Sequence, residues 1–428
     1  MTALIFALLL GLLILGVPVV VVMGFVGLLS MYLLGFPVSM VGQRIFGMMD
    51  SFTLLAIPLF ILAGEIMNVA GISRRLITLA KALLPIRRAR LGKVVVTTEY
   101  LFSGISGSTV ADTAAIGAAV IPEMRRDGYT AAKATGVVCG ACAAGMLVPP
   151  SITMIVYGGV ANVSIGALFA AGFIPALFCA LAMMVHLDFE DRRGIIKERR
   201  PETREPLWPA FKDSGWALGM PLIIIVGILS GVFTATEAGV VAVIYALVID
   251  VFVYRELDFA SMKTILVKAV NLTGVVVFLI AMSSLFGWYL TVEQVPQRLT
   301  AYMDALNLGQ FGVLIAVILF FLLLGMVMDG IAAVIMVVPI LLPSLAALGV
   351  DPLHAGVLIV GATGVGLFTP PVGAGLFVAC GISGTSIGAA SRAAAPYLIT
   401  VSLALVALAF LPGVATFLPE LTGLYTPR

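Results

Sequence analysis

The chain has 428 residues, of which 61% are hydrophobic and only 11% charged, and its formal net charge is +2. A soluble domain carries about a quarter of its residues as charges, so this composition excludes a water-solvated globule and calls for a bilayer as the main solvent. A net charge so near zero leaves no electrostatic footprint for nucleic acid or for a strongly acidic partner.

In chain order, the first apolar run, residues 2–34, is longer than the roughly 20 residues that cross a hydrocarbon core. It lacks a basic start and exceeds the apolar core of a signal peptide, about 7 to 15 residues. A retained membrane helix is expected, divided at Pro18 and Gly24. Later runs at 216–233 and 311–327 add to a chain with room for about ten spans. Residues 73–93 place Leu76, Ile77, Leu79, Ala80, Leu83 and Leu84 on one face and basic residues on the other, as expected of an arm at the membrane interface, anchoring to lipid or bracing a moving domain.

Seven of the 24 basic residues fall between Arg74 and Lys93 and seven more between Arg192 and Lys212, which marks both segments as cytoplasmic. Arg125, Arg126 and Lys133 form a third basic cluster between them. Only about 30 residues separate the first cluster from the third, too few for two full crossings at about 1.5 Å per residue, so the chain enters the membrane and returns. Its midpoint, Ser103-Gly104-Ile105-Ser106-Gly107-Ser108-Thr109, consists of turn formers whose backbone must line a protein-enclosed cavity. The next crossing is interrupted by Pro149-Pro150-Ser151, which removes two amide donors. Beyond Lys268 the only basic residues are Arg298, Arg392 and Arg428, so a second hairpin, with limbs 311–327 and 331–348 around Met328-Asp329-Gly330, is expected to open from the other side.

Sliding the sequence on itself by 221 residues lays Gly145-Met-Leu-Val-Pro149-Pro150 on Gly366-Leu-Phe-Thr-Pro370-Pro371. Gly104 then falls on Gly325, Pro122 on Pro343, Gly128 on Gly349, Gly140 on Gly361 and Pro175 on Pro396. Two copies of hairpin plus broken helix are expected, and an inverted pair of Pro/Gly-interrupted segments points to a transport site at the repeat interface. No Lys or Arg stands at membrane depth in either copy, so helix N-termini would meet an anion, while unwound carbonyls and hydroxyls would meet Na⁺. Ser103, Ser106, Ser108, Ser151 and Thr369 are placed to complete such shells.

Asp112 and Asp329 are the leading ionisable candidates. Asp112 reads equally as a site residue and as a helix cap. Glu65, Glu99 and Glu237 rank below them, as helix-end residues or partners of nearby backbone. His186 and His354 are expected at the interface, the latter in a short external loop. Cys139, Cys142, Cys179 and Cys380 sit among Gly and Ala, as small packing residues do. An intramembrane serine protease is a competing class, because Gly104-Ile-Ser-Gly107 and Gly381-Ile-Ser-Gly384 fit a short GxSG pattern; no HExxH pair is present.

The segments 55–65 (Leu-Ala-Ile-Pro-Leu-Phe-Ile-Leu-Ala-Gly-Glu), 106–112 (Ser-Gly-Ser-Thr-Val-Ala-Asp), Pro149-Pro-Ser-Ile152, 164–169, 231–237 and Thr369-Pro-Pro-Val-Gly373 together resemble the large membrane subunit, DctM-like or M subunit, of tripartite ATP-independent periplasmic (TRAP) transporters. The resemblance spans nearly the whole chain. It implies an all-α polytopic fold of the ion-transporter superfamily, with inverted repeats that each hold a re-entrant hairpin and a broken helix, moving as an elevator. It further implies a separate small four-helix membrane subunit (DctQ-like) and a soluble periplasmic binding protein (DctP-like) that delivers carboxylate-bearing substrates such as C4-dicarboxylates or sialic acid. Location in a bacterial inner membrane and contact with membrane lipid follow.

By matching positions, the resemblance places one Na⁺ site at Ser103, Ser106, Gly145, Val148 and Pro149 and another at Gly325, Asp329, Gly366, Thr369 and Pro370. Substrate contacts fall at Ser108, Thr109, Asp112, Ser151 and Gly373, with Na⁺ the only metal and no organic cofactor. Gly330, Ala362 and Gly375 depart from the family pattern, which carries Pro at the second tip and Asn around the second break. The expected divisions are 1–92 for N-terminal scaffold and arm, 93–188 for the first repeat, 189–308 for cytoplasmic loop and further scaffold, 309–400 for the second repeat, and 401–428 for the C-terminal end. A stand-alone ion-coupled carboxylate carrier with the same core is the alternative within transport.

Overall fold

The computed structural model describes residues 2–37, 39–69, 71–84, 89–195, 205–305 and 308–426, with the side chains of Ala3 and Asp304 excepted. Arg87, Arg88, Lys197, Arg199, Arg200 and Arg204 of the two larger basic clusters lie outside the described residues, as does Arg428. Every regular element among the described residues is a helix. Seven are long and apolar enough to cross a membrane. Fewer than the expected ten reach that length because other apolar stretches are split into shorter helices, such as Ala131–Gly145 followed by Ile152–Ala161.

The first apolar run breaks as Thr2–Ile14 and Val19–Leu33, with Pro18 at the junction. Gly24 does not break it. A Cβ there would lie 2.8 Å from Met282 Sδ, and one at Gly27 would lie 2.7 Å from Leu285 Cβ. Both glycines instead let Val19–Leu33 approach the 34-residue helix Phe259–Val292 closely, the usual role of small residues where no water drives helices together. Ala56–Val69 packs on the same long helix and on Ala235–Ile249.

The 221-residue offset reappears in the helix boundaries. The second limb of the first hairpin, Thr109–Arg126, maps onto Gly330–Ala347, and the first half of the first broken helix, Ala131–Gly145, maps onto Pro352–Gly366, without a residue of slip. The packing is reciprocal: Thr109–Arg126 lies on Ala374–Ser383 as Gly330–Ala347 lies on Ile152–Ala161, and Ala131–Gly145 lies on Ile387–Ala409 as Pro352–Gly366 lies on Ile165–Arg192. Such mutual exchange is the signature of an approximate two-fold relation. At its centre a Cβ on Gly364 would sit 2.7 Å from the carbonyl oxygen of Ala143, its own counterpart, while one on Gly361 would meet Leu147 at 3.3 Å. Both glycines thus lie against the end of the first half-helix and the start of its break.

The arm helix Ile72–Leu83 is not laid on lipid by its apolar face. Ile72, Leu76 and Ala80 are fully buried against the first hairpin limb, Arg90–Ser106, and Leu207–Leu229. Its polar face is tied to protein as well, by Arg75 to Glu256 at 2.9 Å and Lys81 to Glu123 at 2.6 Å. Protein therefore covers much of the apolar face.

A buried polar cluster joins the repeats. Lys133 Nζ lies 2.5 Å from Glu190 Oε1, Tyr397 donates its hydroxyl to Glu190 Oε2 at 2.5 Å, and Glu190 is only 5% exposed. Removing one partner of such a pair strands a desolvated charge, at a cost of about 3–5 kcal/mol. Lys133→Met is therefore expected to lower the thermal midpoint in detergent, and the double variant Lys133→Met/Glu190→Gln to recover much of the loss. A Lys133→Met protein that melts like the parent would contradict this account.

Candidate functional site

The first hairpin turns at Gly107-Ser108, not across the whole 103–109 stretch expected from its turn formers. Helix persists to Ser106 because Gly107, at φ 66°, supplies the left-handed residue that closes it, donating its amide to Ser103 O at 3.0 Å. Ser103 and Ser106 thus project from the last helical turn instead of a loop. Ser103 Oγ donates to the carbonyl of Gly145 at 2.8 Å. That carbonyl belongs to the last residue before the break and also accepts from Val148 N at 2.9 Å.

The tip seats closely on the unwound segment. A Cβ on Gly104 would stand 3.0 Å from Pro149 O and 3.6 Å from Val148 Cγ1, and Ile152 donates its amide to Gly107 O at 3.3 Å. Ser103, Ser106, Gly145, Val148 and Pro149 are all buried. Five positions expected at one Na⁺ site are therefore all buried in the volume where the tip meets the break, with Ser103 on Gly145 and the tip backbone on Val148 and Pro149. Hard oxygen donors of this kind suit an alkali cation.

Two carboxylates stand behind this volume. Glu99 is 1% exposed and Asp112 fully buried. Glu99 Oε1 is the atom a Cβ on Gly145 would strike, and Glu99 Oε2 accepts from Cys142 Sγ at 3.2 Å. Both oxygens of Asp112 lack a well-formed hydrogen bond, so Asp112 is not acting as a helix cap. Glu99 is the residue that sequence reasoning ranked too low. An acidic residue at membrane depth, two turns beyond Lys93 in an apolar hairpin limb, was the available signal. Glu237, by contrast, closes a capping box with Thr234, and Glu65 lies 3.8 Å from Lys268.

The second copy repeats the frame with different contents. The backbones of Gly325 and Gly366 touch: a Cβ on Gly366 would stand 2.6 Å from Gly325 Cα. Val372 and Gly373, the latter at φ 45°, donate their amides to Met326 O at 3.2 Å, which ties tip to break. Thr369 Oγ1 donates to Val365 O at 2.9 Å, and Asp329 Oδ1 accepts from Ile331 N at 2.9 Å as the cap of the following limb. Unlike the first site, this one is open: Asp329 and Pro370 are exposed and Thr369 half-buried. The Pro149–Pro150 and Pro370–Pro371 peptide bonds are both cis.

Of the expected substrate contacts, Thr109, Asp112 and Ser151 are buried within the first unit, Gly373 is buried in the second, and Ser108 is half-buried at the first tip. The three departures from the family pattern are packing positions. Gly330 lies against Thr363, Ala362 is fully buried, and the space a side chain at Gly375 would need is filled by the Phe368 ring.

His354 is not in a loop. Asp351 caps the helix that begins at Pro352 and accepts from His354 N at 3.2 Å, drawing His354 into the first turn, where it is 2% exposed with Nε2 3.0 Å from Leu408 O. A carbonyl-bound, buried ring is no base for a serine in a GxSG turn. The four cysteines are free and buried.

An all-helical membrane protein in which two related units each pin a hairpin tip on a proline-broken helix is a transporter by architecture. The family model for the tripartite ATP-independent periplasmic transporter, DctM component, matches residues 6–414, and the chain belongs to that family of large permease subunits. It is 37% identical to the sialic acid TRAP transporter large permease protein SiaM of Vibrio cholerae, over 96% of this chain and 97% of that one. It is likewise 37% identical to the C4-dicarboxylate TRAP transporter large permease protein DctM of Pseudomonas aeruginosa, over 89% of each. Among solved structures, MtrF of Neisseria gonorrhoeae, from a class of antimetabolite efflux pumps, matches with a TM-score of 0.61 at 14% identity over 87% of this chain and 83% of that one, a likeness of fold. Relatives named as permeases, not enzymes, set aside the protease reading.

Proposed function

We propose that this chain carries a carboxylate-bearing solute inward across a bacterial inner membrane in symport with Na⁺, as the large subunit of a tripartite system. The observation that carries the Na⁺ assignment is the enclosed oxygen set at the first site, where Ser103 Oγ meets the end carbonyl of Gly145. The named substrates of the relatives, sialic acid and C4-dicarboxylates, are carboxylates and support the solute class. A bound cation would offset the charge of such an anion and lower the cost of moving it through a low-dielectric region.

The reciprocal packing of the two units supports an inverted relation between the repeats, the arrangement that suits alternating access. The hairpins and broken helices would form the moving body, and the N-terminal helices with Phe259–Val292 the scaffold. A separate small four-helix subunit and lipid would cover the outward apolar face of that helix, including Val267, Val270 and Phe278. A periplasmic binding protein would deliver the solute.

The test is uptake by proteoliposomes holding this chain, its small subunit and its purified binding protein, with membrane potential clamped. Uptake is expected under an inward Na⁺ gradient and background flux when choline replaces Na⁺. Equal uptake in choline rules out the coupling. Uptake by this chain alone favours the stand-alone carrier.

A further inference from the structure

The segment 55–65 lies outside both tip-and-break units, and most of it belongs to the N-terminal helix Ala56–Val69, yet it reaches the first tip. A Cβ on Gly64 would stand 2.6 Å from Ser106 O, 3.3 Å from Ser106 C and 3.4 Å from Ser106 Cα. All three are backbone atoms of the last helical residue before the turn. Gly64 and Ser106 are both buried, so the two helices meet backbone to backbone with nothing between them, which only a residue without a side chain permits.

The next residue, Gly107, rests on the unwound segment, where a Cβ would stand 3.1 Å from Pro150 O. The end of the first tip is thus held by the helix Ala56–Val69 at one residue and by the break at the next. A second helix of the proposed scaffold, Leu207–Leu229, adds Pro221, whose Cβ would lie 3.6 Å from one on Gly104. The second tip has no such neighbour at the matching glycines. The nearest atoms to a Cβ on Gly325 or Gly330 belong to Gly366, Thr363 and Met146, all of which lie within the two units.

An ion held where the tip meets the break needs the tip in its seat, so a contact that keeps it there raises the share of molecules competent to bind. We infer that Gly64 is a positioning residue for the first site: by admitting the Ser106 backbone to the scaffold it sets the Na⁺ affinity of a site to which it contributes no ligand. This rests on the proposed Na⁺ coupling. Every expected ligand of the site is carried by the proposed moving body and Gly64 is not, so a moving body that leaves the scaffold gives up this seat and holds its ion less tightly.

The test compares two glycine substitutions on the full chain, reconstituted with its small subunit and binding protein. Gly64→Ala sets a methyl group against main-chain atoms that cannot rotate away. Gly239→Ala, on Ala235–Ile249, sets one 2.9 Å from Leu59 Cβ, so it crowds the same helix Ala56–Val69 without touching the tip. Both are expected to melt below the parent. Only Gly64→Ala is expected to raise the Na⁺ concentration for half-maximal uptake, by about fivefold or more, the scale that overpacking gives. Its maximal uptake should return at saturating Na⁺, because mass action reseats the tip. An unchanged half-saturation in Gly64→Ala, or an equal rise in Gly239→Ala, makes the glycine a packing residue and overturns the inference. Should Gly64→Ala not fold, amide hydrogen exchange in the parent decides. Na⁺ is expected to slow exchange in Ala56–Val69 together with the first tip and not in Ala235–Ile249, and protection confined to tip and break overturns the inference. The outcome is separable from the coupling itself: parental uptake that is equal in Na⁺ and choline refutes the Na⁺ reading, whereas Na⁺-dependent uptake that Gly64→Ala leaves superimposable refutes this role alone.

Discussion

Gly366→Ala is expected to abolish uptake and to destabilise the protein, the largest effect of any single methyl group considered. A Cβ at this position would stand 2.6 Å from Gly325 Cα and 2.6 Å from Leu322 O, both backbone atoms of the first limb of the second hairpin. Backbone cannot rotate away as a side chain can, so the limb itself must move off the broken helix. Overpacking of this kind costs about 1–3 kcal/mol, occasionally more. The displacement falls where Val372 and Gly373 donate to Met326 O, so the tie between tip and break is lost together with the packing. Gly274→Ala is the control: nothing lies within 4 Å of a Cβ there, and alanine is a better helix former than glycine by about 1 kcal/mol. Thermal melts in detergent and reconstituted uptake check both. A Gly366→Ala protein with parental uptake would show that the second tip does not need its seat.

The repeat was legible in the sequence because Gly and Pro carry their backbone consequences with them. Prolines at 149 and 150, and again at 370 and 371, break a helix wherever they stand, and the offset they define predicts the matching boundaries of Thr109–Arg126 and Gly330–Ala347. Less local features were hidden. Gly24 looks like a breaker in isolation, yet the close approach of Met282 makes it a packing residue inside a continuous helix. The serines of the first tip look like loop residues, yet a left-handed Gly107 lets the helix run through them to Ser106. Glu99 looks like a stray acid until the fold sets its carboxylate against Gly145 and Cys142, two positions remote in sequence. The amphipathic arm was correctly seen as two-faced, but periodicity does not say whether lipid or protein covers the apolar face.

The two units differ in a way that bears on what each can hold. At the first, oxygen donors are buried beside the carboxyl groups of Glu99 and Asp112, so a bound cation would be held out of water among oxygen atoms. At the second, the tip acid is spent on capping Ile331 and the break is exposed. An enclosed site favours selective binding of a small ion, and an open one suits a larger partner that arrives from solution.

Ser103→Ala tests that division most directly. The hydroxyl is 2% exposed and donates to the Gly145 carbonyl, which also accepts from Val148 N at 2.9 Å, so its loss removes an oxygen from the buried set without orphaning that carbonyl. An interaction of a polar group with a charged one is worth about 1.5–3 kcal/mol, equivalent to about 10- to 150-fold in a binding constant. The Na⁺ concentration for half-maximal uptake is expected to rise by about tenfold or more on that scale. Saturating Na⁺ should restore maximal uptake if the hydroxyl is an ion ligand, because mass action refills a weakened site. A purely structural role predicts the opposite pattern, a reduced maximum with an unchanged half-saturation, since a damaged tip would shrink the active population without altering the site in what remains. Superimposable Na⁺ curves for Ser103→Ala and the parent would remove Ser103 from the ion's shell and leave the cation to be sought nearer Glu99 and Asp112.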